Sequence, residues 1–63
     1  MIHVTKINGK DMVLNCEMIQ TVEANPDTTI TMTTGLKIIV LESVDTIIDK
    51  TIHYKREIRK QVL

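Results

Sequence analysis

A single cysteine, Cys16, sets the terms on which a chain of 63 residues can fold. One thiol cannot close an internal disulfide. The other candidate zinc ligands, His3 and His53, stand at no structural-zinc spacing from it. A domain of this size buries only roughly 60% of the surface its unfolded chain exposes. With disulfide and metal set aside, the apolar core and association with other chains must supply the stability. That core has no Trp, no Phe and one Tyr, Tyr54, so Ile, Val, Leu and Met must fill it. Each buries less area than an aromatic ring. Ile and Val also suit a pleated, half-buried strand. The composition predicts a single α+β domain over residues 1–63, mostly β, supplemented by homo-oligomer formation or partner binding.

Strand and turn signals occupy residues 1–41. Residues 2–7 alternate, with Ile2, Val4 and Lys6 on one face. Asn8-Gly9 follows, a pair suited to a two-residue type I′ turn. The chain then returns over residues 10–15, and this loop predicts Lys6 opposite Asp11 and Val4 opposite Val13, both favourable pairs. Residues 15–18 read as a connection. A third strand spans residues 19–24, with Ile19 and Thr21 on one face and Val22 and Ala24 on the other. Asn25-Pro26-Asp27 is a turn, because Pro presets φ and Asn and Asp can bond nearby backbone. Residues 28–33 and 36–41 form a last hairpin around Thr34-Gly35, Gly35 supplying a positive φ. Its two-residue register sets Ile30 opposite Ile39. Ile30, Met32, Ile39 and Leu41 then share one face, and Leu36, Ile38 and Val40 the other. One helix can cover a single face, so the second must meet more sheet or another chain, and Ile38 and Val40 become candidate partner-binding residues.

A helix is expected over residues 43–60. Ser43 can cap it, and Asp45 lies in its first turn at the positive end of the dipole. Val44, Ile47, Ile48, Thr51, Ile52, Lys55 and Ile58 recur at steps suited to an amphipathic helix. Basic residues gather towards its end. Ile52, Lys55, Arg56 and Arg59 are the candidate partner-binding residues there; complementing the helix dipole is the simpler account of the charge.

Few constellations suggest chemistry. Gly9 and Gly35 stand alone, without a phosphate-binding loop. A Cys16–His3 nucleophile pair is weak, because nothing else in the sequence supports it. Asp45 and Asp49 sit where a helix start expects acidic residues, and His53 lies on a charged helix face between Asp49 and Glu57. No catalytic residue, cofactor or metal is expected, and the four methionines read as core filler. Eight basic side chains balance eight acidic ones, a poor match to nucleic acid, which draws a basic excess. Neither a secretory leader nor a membrane span is visible, which predicts a cytoplasmic protein.

Turn formers and core residues occur in a distinctive order: Asn8-Gly9, Leu14-Asn15, Pro26-Asp27-Thr28, Ile30-Thr31, Gly35, Glu42-Ser43-Val44 and Ile47-Ile48. In that order and spacing the chain resembles the small flagellar FlbD family, also called SwrD, from Met1 to about Tyr54. Asn8, Gly9, Asn15, Pro26, Asp27, Thr28, Gly35, Glu42 and Ser43 carry the resemblance. Cys16 stands where the family usually has Pro, and Ile39 where a larger side chain is common. The resemblance implies a non-enzymatic part in flagellar motility and swarming, linked to the power the motor delivers. The expected partners are motor or stator proteins, met in the cytoplasm at the inner face of the membrane near the flagellar base. Two other readings stand beside it: a small nucleic-acid-binding regulator of flagellar genes, and an adaptor in peripheral contact with the membrane through its helix.

Overall fold

Five antiparallel strands and a long helix follow one another in the computed structural model, which describes residues 1–62. β1 (Ile2–Thr5) pairs with β2 (Asp11–Leu14), and a short 3-10 helix (Cys16–Met18) leads to β3 (Ile19–Ala24). β4 (Thr28–Met32) lies between β3 and β5 (Lys37–Val40), and α1 (Val44–Val62) ends the described chain. Residue 63 of the expected domain lies outside the described residues.

The two sheets are joined where β1 runs on past its pairing with β2. Lys6 bridges to Val40, Leu41 N–H donates to Thr5 O at 2.8 Å, and Ile7 N–H donates to Ile39 O at 3.0 Å. The resulting strand order is β2-β1-β5-β4-β3, curled around one core. α1 packs on β1 and β3, closing the side that the strands leave open. Ile2, Val4, Leu14, Cys16, Ile30, Met32, Ile38, Val40 and Ile47 make the buried core, with Met12, Ile19, Val22 and Tyr54 packed against it.

Both tight hairpins depart from the register expected for two-residue loops, and in the same way. Gly9 N–H donates to Lys6 O and Lys6 N–H to Lys10 O, both at 2.8 Å. In the later hairpin Gly35 N–H donates to Met32 O at 2.9 Å and Met32 N–H to Leu36 O at 2.8 Å. Each loop therefore has three residues, ending in a glycine at φ +87° or +92°. This is a type I turn closed by a G1 bulge. Asn8 does not take the positive φ that a type I′ turn requires; its side chain instead accepts from Lys10 N–H at 3.0 Å.

Val4 therefore faces Met12 rather than Val13, Asp11 faces Thr5 rather than Lys6, and Ile30 faces Ile38 rather than Ile39. The reason is burial. Two-residue loops would set Asn15 and Asp11 beside the inward Ile2, Val4 and Lys6. They would also set Lys37 opposite the inward Met32. The observed loops put Leu14, Met12, Ile38 and Val40 inside. A one-residue slip moves every side chain of a strand to the other face, so the core decides the loop. The face left outside on β5 carries Ile39 and continues into Leu41, not Ile38 and Val40.

β3 also departs from strict alternation. A register shift between Ile19 and Thr21 lets Ile19 and Val22, three positions apart, both pack against the core, opposite Met32 and Ile30. A bulge re-aims side chains in this way.

The helix begins as expected. Ser43 Oγ accepts from Thr46 N–H at 3.1 Å and lies 2.9 Å from the Thr46 hydroxyl. Such a cap contributes about 1 kcal/mol. Ile47 enters the core at 1% exposure, with half-buried Thr51 and Tyr54 continuing its line. From Lys55 to Lys60 every residue is exposed, so the last turns run beyond the cover of the sheet. At 1.5 Å per residue the helix is about 28 Å long, a large share of the molecule's 39 Å longest dimension.

Candidate functional site

Most residues of the sequence motif turn out to be joints of the fold. Gly9 and Gly35 close the two bulged loops. Asn15 caps the 3-10 helix, its Oδ1 accepting from Glu17 N–H at 3.1 Å. Pro26 and Asp27 form the β3–β4 turn, in which Asn25 N–H donates to Asp27 O at 3.1 Å, and Thr28 is buried at the start of β4.

Glu42 does more than precede the helix. Both of its carboxylate oxygens lie 2.9 Å from Thr5 N–H, 37 residues away in sequence, so this side chain ties the helix entry to β1. Partial burial pushes the Glu42 carboxyl up. The N–H groups of Thr5 and of Glu42 itself, the Thr5 hydroxyl and the charge of Lys50 outweigh that, holding it below its ordinary 4.5. A depressed carboxyl stabilises the fold above its unfolded pKa, and that contribution is lost as pH falls through the folded value. Glu42→Gln keeps an acceptor but no charge, and should cost about 1 kcal/mol at neutral pH. The gap between parent and variant should shrink below the ordinary 4.5 and vanish in stronger acid. Thermal melts at a series of pH values check this; a gap that stays constant with pH would remove the carboxylate from the account.

The six candidate partner-binding residues divide. Ile38 and Val40 are buried at 8% and 3%, inside the core, so neither offers a surface to another molecule. Their selection followed from the slipped register, which turned β5 over. Ile52, Lys55, Arg56 and Arg59 are brought together: they line one shallow hollow of about 260 Å³ on the exposed side of α1. Next to it, a hollow of about 270 Å³ lies between α1 and β3, with Ile19, Val22, Ile48 and Ile52 in its wall. The sequence reading missed the part played by Ile19, Val22 and Ile48. The helical pair Ile48 and Ile52 was visible as a signal, but the β3 wall depends on the bulge.

Cys16 and His3, the candidate nucleophile pair, stay apart. Cys16 is buried beneath the sheet, whereas His3 alternates with Ile2 and Val4 on β1 and is exposed on the opposite face. His3 and His53 line a third groove with Lys50, Tyr54 and Glu57. Among the described residues no three His, Cys, Asp or Glu side chains are grouped to hold a metal ion, and no helix is long and apolar enough to cross a membrane.

Fold and surface together define a small protein built as a curled antiparallel sheet closed by one helix, whose far end is exposed and basic. The family model for FlbD, flagellar and swarming motility proteins, matches residues 1–59, and the chain belongs to that family. It is thereby a protein of flagellar and swarming motility. No curated protein and no solved structure matches the chain.

Proposed function

We propose that this protein is a non-enzymatic accessory of flagellar motility, which binds a motor or stator protein from the cytoplasmic side and supports the power delivered for swimming or swarming. Family membership supplies the setting. The observation that carries the binding role is apolar surface left over once the core is full. Ile48 and Ile52 are 47% and 44% exposed on a helix whose core-facing line is already occupied by Ile47, Thr51 and Tyr54. Scattered exposed apolar residues are ordinary, but these two are adjacent on one helix face and adjoin a cluster of cations.

The test is motility of a strain lacking the gene, with filaments counted in the same cells. Normal filament number with weakened swimming or swarming is the expected result. Lost filaments would move the protein to assembly or gene expression, and unchanged motility would overturn the proposal.

A further inference from the structure

The hollow between α1 and β3 and the basic ledge beyond it are one continuous surface, since Ile52 and Lys55 belong to both. Charge is strongly segregated along it. Residues 55–60 hold Lys55, Arg56, Arg59 and Lys60 against Glu57 alone, a net charge of four minus one, or +3. The rest of the chain has four basic and seven acidic residues, a net −3. The ion pair found among the described residues joins Lys60 to Glu57 at 3.7 Å. Lys55, Arg56 and Arg59 have no carboxylate partner among those residues. The helix dipole does not account for all of this charge, because its effect falls off within the last turn. Lys55 and Arg56 lie more than one turn before the end of α1 at Val62.

We infer that this surface docks an acidic amphipathic segment of a partner protein, with a bulky apolar anchor in the hollow walled by Ile48 and Ile52 and carboxylates on Lys55, Arg56 and Arg59. The inference rests on the protein-binding role proposed above and names its surface and the partner's chemistry. Charge complementarity selects an acidic partner, and Arg offers a planar fork that suits carboxylates. Concavity selects a protein segment over a lipid surface. A helix lying on a membrane presents a protruding face rich in Trp, Phe or Leu. Here the apolar side chains line a hollow that β3 partly walls, and residues 44–62 contain none of those three types. Single-stranded nucleic acid would stack bases on aromatic side chains, and the ledge has none.

The test uses the full chain, isotope-labelled for NMR, and a synthetic helical peptide with leucines on one face and glutamates on the other. A peptide with lysine in place of every glutamate is the control, and phosphatidylglycerol vesicles are the lipid probe. The acidic peptide should shift the amide signals of Ile48, Ile52, Lys55, Arg56 and Arg59 at low salt, and the lysine peptide should not. The double variant Lys55→Glu, Arg59→Glu should weaken binding by about tenfold or more, the scale of lost charge pairs at an interface. Its fold should stay intact with only a small fall in melting temperature, because both side chains are exposed and reversed charge near a helix C-terminus is only mildly unfavourable. Equal response to both peptides, no response, shifts centred on the outer sheet face, or binding to vesicles alone would each overturn the inference. In the deletion strain, full rescue of motility by the double variant would overturn the docking surface while leaving the motility role intact.

Discussion

Ile30→Ala should leave much of the protein unfolded at 25 °C. Ile30 is completely buried, at 0% exposure, in the middle of β4, opposite Val22 on one side and Ile38 on the other. Truncating a buried isoleucine to alanine costs about 2–5 kcal/mol, the spread reflecting how far the cavity collapses. Domains below about 70–80 residues rarely draw more than about 3–5 kcal/mol from a single core. The loss is thus comparable to the whole stability. This core also has no aromatic side chain beyond half-buried Tyr54 to close the gap. Chemical denaturation followed by circular dichroism is the measurement. The variant should lose most of its folded baseline, while the parent unfolds in one cooperative step. A cost below about 1 kcal/mol, the range of a surface change, would mean that Ile30 is not at the centre of the core.

Two neighbouring substitutions on β5 should differ sharply. Ile38→Ala removes a side chain at 8% exposure that faces Ile30 across the β4–β5 ladder, and should cost about 2–4 kcal/mol. Ile39→Ala removes one at 41% exposure on the outer face, and should cost under about 1 kcal/mol. The two residues are identical in type and adjacent in sequence, so strand propensity cancels in the comparison. Only the register separates them. A two-residue loop at Thr34-Gly35 would reverse the order, with Ile39 inward and Ile38 outward. Denaturation midpoints of the two variants, measured under the same conditions, decide between the registers.

The same physics explains why a strong local signal in the sequence misplaced both tight hairpins. Asn8-Gly9 is compatible with a two-residue turn, but equally with a type I turn that ends in a left-handed glycine. Both are common hairpin loops. They differ greatly in what they bury, because one sends Asn15, Asp11 and Lys37 towards the core and the other sends Leu14, Met12 and Ile38. The apolar pattern needed for the right choice was present in residues 10–15 and 36–41. The Asn8-Gly9 signal favoured the two-residue loop, and the Lys6–Asp11 pair that loop would create is worth less than about 1 kcal/mol when exposed. The candidate site inherited the error at Ile38 and Val40. Ile52, Lys55, Arg56 and Arg59 do lie together on the surface, because helical periodicity alone groups them and no strand register intervenes.

By itself the sequence determined the order and type of the elements, the glycines that turn the chain, the serine that caps the helix, and the family. Each of these depends on residues near one another along the chain, where backbone preference and periodicity act directly. Tertiary structure alone decided the register of both hairpins, the bulge in β3, the bond from Glu42 to Thr5 and the pairing of β1 with β5. The registers and the bulge depend on which side chains end up sharing one buried core, and the other two on strands and a helix entry that only the whole fold brings together. In a core this small, that shared burial outweighs any single turn.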